Sequence, residues 1–233
     1  MQYTVHRALA MIKTTKARII KELSEDTPAW IRVARGQEDN IRGVAVKDIQ
    51  REIQSRYDRV TSLIENYIKL KSAVIQSNAG VRDGVEVYKV SVGEKKLTVA
   101  EIIEMHETVY GRAQKVGFKS ALLTKMKIDY ARAQTEFDDM QTEADEEISR
   151  YVQLVVGRKK DNEATDAETK SIIEATSKML HEQKDPHLVD PLKLADKITA
   201  LENEIEEFRV AADAILSEQN ALTTIEVNLA EIK

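Results

Sequence analysis

The sequence predicts a mainly α protein built from long antiparallel coiled-coil helices with small β-hairpins, and three observations carry that expectation. Val109, Val116, Leu123, Tyr130, Phe137, Ala144 and Tyr151 stand one heptad apart and are all apolar. Met126, Ala133, Met140 and Leu154 follow the matching positions by three residues, which completes an a/d seam. A second seam, Leu194, Ile198, Leu201, Ile205, Phe208, Ala212 and Ile215, alternates steps of four and three. Composition agrees with both. Of 233 residues, 42% are hydrophobic, enough to bury a core, while 32% are charged and only 5% aromatic, as in surface-rich helices.

The elements follow in chain order. Thr4 precedes a helical stripe through Leu9, Ile12, Ile19 and Leu23, so it reads as the N-cap of a helix ending near Ser24. Pro28, Gly36 and Gly43 then punctuate two β-prone pieces, Trp30 to Val33 and Val44 to Val46, expected to pair as a small hairpin or ribbon. The second helix carries Ile49, Ile53, Tyr57, Val60, Ile64, Tyr67 and Val74 on one face and ends at the Asn78-Ala79-Gly80 signal. Val85 to Val99 forms a second hairpin turning at Gly93 and runs into a third helix, about Val99 to Val156. That helix would be on the order of 85 Å long at about 1.5 Å per residue, with Gly111 and Gly117 as its points of bending or breakage.

Residues 157–166 read as a polar linker, followed by a shorter helix through Ile172, Ile173, Met179 and Leu180. Pro186 and Pro191 bracket the next turn, and Pro191 is placed to open the last helix. Leu222 to Val227 is strand-like. The expected organisation is therefore residues 1–156 with three helices and two hairpins, residues 157–190 as linker and short helix, and residues 191–233 packing back on the first part.

Charge divides along the third helix. Arg112, Lys115, Lys119, Lys125, Lys127 and Arg132 form a basic block, and Glu136, Asp138, Asp139, Glu143, Asp145, Glu146 and Glu147 an acidic one. The basic block reads first as a partner for acidic faces of neighbouring helices or of another copy. Its second reading is an anion-binding stretch with Arg112, Lys115 and Lys119 sharing a helix face. A net charge of −5 argues against a general nucleic-acid binder.

Chemistry is sparse. With no cysteine, disulfides, thiolate metal sites and cysteine nucleophiles are excluded. His106-Glu107-Thr108-Val109-Tyr110 places a tyrosine where a zinc-protease helix needs its second histidine. His181-Glu182 and Asp185-Pro186-His187 read first as solvated loop residues and second as an adventitious metal site. Phosphate-loop, dinucleotide-turn and nucleophile-elbow motifs are missing. The expectation is a non-enzyme with no catalytic residue, metal or cofactor. Lys13, Lys16 and Arg18 lie in an amphipathic N-terminal pattern unlike a secretory signal, and no run approaches the roughly 18 apolar residues of a membrane span.

Leu63 to Ala79, the hairpin that follows, and Leu97 to Glu104 resemble a group of helical proteins of large tailed phages that infect Gram-positive bacteria. Ala214 to Val227 is similar to the ending of the related septicolysin-like family. With Thr4 to Leu9, the resemblance covers about half the chain; residues 157–190 have no counterpart. It implies a mostly helical, oligomeric protein of structural type, without catalytic residues.

The function expected is that of a non-enzymatic phage protein, a virion component or scaffold acting through helical oligomerisation. The alternative is a soluble phage protein that captures a host defence factor or a small anionic signal molecule. Its first partner is a second copy of itself, then other virion proteins or a host factor, with no membrane, in the virion or the host cytoplasm. The interface candidates are Leu194, Ile198, Leu201, Ile205, Phe208 and Ile215, with Leu123, Tyr130 and Phe137.

Phe208 is the largest side chain on the last seam, so Phe208→Ala should cost about 3 to 5 kcal/mol. Glu206→Ala, on the wet face, should cost less than about 0.5 kcal/mol. Equal melting temperatures for the two variants would contradict the seam.

Overall fold

A computed structural model describes residues 3–25, 29–36, 38–78, 90–92, 95–112, 115–159 and 166–222. The chain is mainly helical with small antiparallel strand pairs. The order is α1 (Val5–Ser24), β1 (Arg32–Arg35), β2 (Asn40–Ile41), β3 (Val44–Ala45), α2 (Val46–Asn78), β4 (Val90–Val92), β5 (Lys95–Leu97) and α3 (Val99–Glu104). A π-helical turn (Met105–Tyr110) continues α3, and α4 (Phe118–Lys159), α5 (Asp166–Lys184), β6 (Pro186–Val189) and α6 (Leu194–Leu222) complete it.

Two compact units are interleaved along the sequence. The first comprises Met1–Glu25, Arg59–Thr124 and Ile198–Lys233, the second Asp26–Asp58 and Lys125–Lys197.

In the first unit the Thr4 hydroxyl accepts the Arg7 N–H at 3.3 Å and starts α1. Ile12 and Ile19 of α1, Val60, Ile64, Tyr67 and Val74 of α2, Ile102 of α3, and Ile205, Phe208 and Ala212 of α6 are buried. Tyr67 meets Phe118 edge-on at 5.1 Å. A capping box starts α3. The Thr98 hydroxyl accepts the Glu101 N–H at 3.2 Å, and the Glu101 carboxylate accepts the Thr98 N–H at 2.8 Å.

The second unit is centred on Trp30, which is fully buried. Tyr57 stands edge-on to its ring at 6.3 Å, the Arg56 guanidinium covers it at 4.7 Å, and its backbone N–H donates to Asp129 at 3.1 Å. The strand beyond it, β1, pairs antiparallel with β6, Arg32 opposite Val189 and Arg35 opposite Pro186. This corrects the expected pairing of Trp30 to Val33 with Val44 to Val46. Buried Val33 and Ala34 of β1 stand opposite Leu188 and His187, and buried Pro186 and Val189 of β6 stand opposite Arg35 and Arg32. β2 and β3 instead close on each other through Arg42 (φ 49) and Gly43 (φ 83), the two successive positive φ values of a tight hairpin turn.

β4 and β5 pair antiparallel as expected; Gly93 and residues 85–89 lie outside the described residues. The expected 99–156 rod is broken. Gly111 adopts φ +79, and a Cβ there would lie 2.5 Å from the Gly117 nitrogen, while one on Gly117 would lie 2.3 Å from the Gly111 nitrogen. The two glycines let the backbone turn back against itself, and α4 restarts at Phe118.

The heptad seam of α4 is buried only over its middle, at Met126, Ala133 and Ala144. Val116 is 78% exposed and lies in the connection, Tyr151 and Leu154 are exposed, and Leu123 and Tyr130 are half-buried. The fully buried positions also fit a repeat of eleven: Phe118 with Asp129; Leu122 with Ala133 and Ala144; Met126 with Ile148 after two repeats. An 11-residue repeat is about 3.67 residues per turn, near the relaxed α-helix, whereas a heptad demands under-winding to about 3.5. Further on, α4 extends to Lys159 into the expected linker. Pro186 starts β6 rather than a turn, and Pro191 does not open α6. The Asp190 carboxylate accepts the Leu192 and Leu194 N–H groups at 3.2 and 2.7 Å. The expected strand 222–227 lies, beyond Leu222 at the end of α6, outside the described residues.

Gly43→Ala should cost about 1 kcal/mol for its positive φ alone, since a Cβ there meets nothing within 4 Å. Gly36→Ala should cost clearly more, because its Cβ would lie 2.0 Å from the Gln183 carbonyl oxygen, a backbone atom. Urea unfolding of the two variants measures the difference.

Candidate functional site

π-Helical turns are rare in proteins and frequently mark functional sites. In the first unit, Met105, His106, Val109 and Tyr110 of the π-helical turn are buried. Gly111 ends it and leaves carbonyl oxygens without helical donors. Arg209 of α6 supplies them. Its Nε donates to the Gly111 carbonyl at 2.7 Å, and its Nη2 to the Tyr110 carbonyl at 2.9 Å and the Ser120 hydroxyl at 3.0 Å. Ser120 donates in turn to the Tyr110 carbonyl.

Next to Arg209, the Phe208 ring stacks on Tyr110 with centroids 3.9 Å apart and planes 10° off parallel. The Tyr110 hydroxyl donates to Glu204 at 3.1 Å, Lys119 donates to the same carboxylate, and the Lys119 ammonium stands 4.8 Å over the Tyr110 ring. Burial, and then the Glu204 charge, pushes the Tyr110 hydroxyl well above its ordinary acidity range.

A second polar group lies on α2 and α3. Glu104 accepts from the Tyr67 hydroxyl at 2.8 Å and from Lys71 at 3.1 Å. Glu101 accepts from Gln76 at 3.0 Å in addition to Thr98. Burial alone would raise both carboxyls. Donors outweigh it, the Thr98 backbone and hydroxyl for Glu101 and Tyr67 with Lys71 for Glu104, and both stay below the ordinary range. The Thr98-x-x-Glu101 capping box could have been read from the sequence as a reason for Glu101 to be held; Glu104, Glu204 and Arg209 carry no such local signal.

The structure does not place Arg112, Lys115 and Lys119 on one helix face. The break at Gly111 puts Arg112 and Lys115 in the connection and only Lys119 on α4. Arg112 and Lys115 stand 3.7 and 3.3 Å from Glu107, and Lys119 is bound to Glu204, so each cation meets a carboxylate of its own unit. An open cleft of about 500 Å³ adjoins them, with Lys16, Ile20, Leu23, Val116 and Phe118 among its walls.

Of the interface candidates, Leu194, Ile198, Ile205 and Phe208 are buried, and Leu201, Ile215, Leu123, Tyr130 and Phe137 are half-buried. The ring partners of Phe208 are Tyr110 and His106 of the same chain. Large apolar side chains are exposed on several helices, Val210 of α6 at 65% among them, and one group lies on α4 and α5 of the second unit. Ile148, Tyr151, Leu154 and Leu180 line a cleft of about 330 Å³ there. Leu154 is 62% exposed, Met179 48%, and Tyr151 and Ile172 are exposed as well. Lys184 binds Glu147 across the same two helices and holds that carboxyl below its ordinary range.

No family model, curated protein or solved structure matches the chain.

His106 gives the site a pH dependence. Its ring is 2% exposed, its Nδ1 is buried without a hydrogen-bond partner, and the Asp213 carboxylate stands 3.7 Å away. Burial lowers the imidazole below its ordinary 6.5, the Asp213 charge opposes this, and Arg112 and Arg209 add to it. Between the lowered folded value and 6.5 the unfolded chain binds the proton that the folded chain refuses. Stability from this residue is therefore complete above the unfolded value and falls as pH drops through that window. The melting-temperature advantage of the parent over His106→Gln should shrink from neutral pH to pH of about 5. A pH-independent difference would contradict the buried, neutral ring.

Proposed function

We propose that the protein is a non-enzymatic assembly protein, a structural component or scaffold of a phage virion that acts through helical oligomerisation. The observation that carries this reading is the apolar surface of the second unit. Tyr151 and Leu154 of α4 and Ile172 and Met179 of α5 present large side chains to solvent. Large apolar side chains exposed on two helices of one unit support association through that unit.

The polar groups support the same reading from the other side. Glu101, Glu104, Glu204 and Arg209 are spent on helix caps, tyrosines and lysines within one unit. The phage assignment rests on the resemblance of Leu63 to Ala79 and Leu97 to Glu104 to helical phage proteins. No described helix is long and apolar enough to cross a membrane.

Light scattering of the purified chain at micromolar concentration should return a multiple of 26.4 kDa, and Leu154→Glu with Met179→Glu should return the single-chain mass without loss of helicity. A single-chain mass for the parent would overturn the assembly reading. Mass spectrometry of purified virions then separates the two phage roles: abundant peptides support a virion component, and their absence with expression early in infection supports capture of a host factor or anionic signal.

A further inference from the structure

We propose that Asp145, His181 and Asp185 form a binding site for a divalent transition-metal ion of the zinc class, bridging α4 and α5. All three residues belong to the second unit, and the proposal does not depend on the assembly reading. His181 and Asp185 are one helical turn apart at the end of α5, so their side chains share a face. The Asp185 N–H donates to the His181 carbonyl at 2.9 Å, which fixes that last turn. Asp145 comes from α4, and one ligand atom from each of the three residues lies within 4.8 Å of the others.

The donor set selects the occupant. Zinc takes imidazole nitrogen and carboxylate oxygen at about 2.0 to 2.2 Å, which brings donors in a tetrahedral site to roughly 3.5 Å of one another. None of the three groups is fully buried, so their side chains have room to close from 4.8 Å. Two carboxylates neutralise a divalent charge, and a neutral imidazole between them favours a transition metal over magnesium or calcium, which take oxygen alone. The imidazole is what separates this group from an ordinary exposed acidic patch.

The surroundings are already arranged for it. The His181 Nδ1 lies 3.0 Å from one Asp185 oxygen and 3.2 Å from the other, close to the donor separation of a zinc site, and an ion bound to Nδ1 would take the place of that hydrogen bond. The Gln141 amide donates to Asp145 at 3.1 Å, steadying one carboxylate oxygen and leaving the other. Lys184, the cation next in sequence to Asp185, is bound to Glu147. Three protein donors leave a fourth position for water. An ion held here would tie α4 to α5 beside the exposed Tyr151, Leu154 and Met179.

Calorimetry of the full chain with zinc chloride at neutral pH tests the site. The expected result is one zinc per chain, with affinity lowered about tenfold or more in His181→Ala and in Asp145→Asn. Zinc should raise the melting temperature of the parent more than that of either variant. His187→Gln and Glu182→Gln, neighbours outside the donor set, should bind like the parent, and excess magnesium should not compete. Circular dichroism of each variant checks that helicity is kept, and Asp145→Asn preserves side-chain shape if His181→Ala does not fold. Absence of zinc binding, or zinc binding equally strong in folded Asp145→Asn or His181→Ala, would overturn the proposal.

Discussion

The fork of hydrogen bonds from Arg209 to the Tyr110 and Gly111 carbonyls is the interaction on which the first unit depends. A helix that ends at a buried glycine leaves carbonyl oxygens facing protein rather than water, and an unmet buried acceptor costs about 1 to 3 kcal/mol. A guanidinium meets two such oxygens at once because its donors are rigid and planar. Fixing Arg209 also fixes Phe208, the preceding residue, on the Tyr110 ring. Tyr110 in turn places its hydroxyl on Glu204, which also takes Lys119. One break in a helix thus sets the packing of the π-helical turn, the start of α4 and the middle of α6.

The elements legible in the sequence are those whose signals are local. Thr4 caps α1, the Ile53, Val60, Ile64, Tyr67 and Val74 stripe of α2 is buried, and the four-three seam of α6 points inward from Leu194 to Ala212. What was not legible depended on distant partners or on backbone geometry. β1 pairs with β6 from the other end of the second unit's sequence, and no pattern around Trp30 announces Pro186 to Val189. Seven apolar residues at heptad spacing read as a seam, but a relaxed helix turns about 20° away from that spacing every heptad. Asp129 on the buried face of α4 broke the apolar pattern while serving the Trp30 N–H.

The charge blocks show the same division between composition and contact. Arg112 and Lys115 meet Glu107, Lys119 meets Glu204, and in the second unit Arg35 meets Glu143 and Lys184 meets Glu147. The exposed pairs among these contribute little to stability. Lys119 is the most enclosed of these cations and sits over an aromatic ring as well. Arg112, Lys115 and Lys119, read first as partners of acidic faces, meet carboxylates of their own unit. Asp145, missed beside His181 and Asp185, lies on a different helix, where spacing along α5 could not have found it.

The central claim is that Arg209 holds the break between the π-helical turn and α4. Amide hydrogen exchange of Arg209→Met, against the parent, tests it most directly, because each amide reports its own opening equilibrium. Total helicity should be retained while the amides of residues 105–110 and 118–121 exchange about tenfold faster or more, as loss of hydrogen bonds from a charged donor implies. Exchange at those amides unchanged from the parent would contradict it.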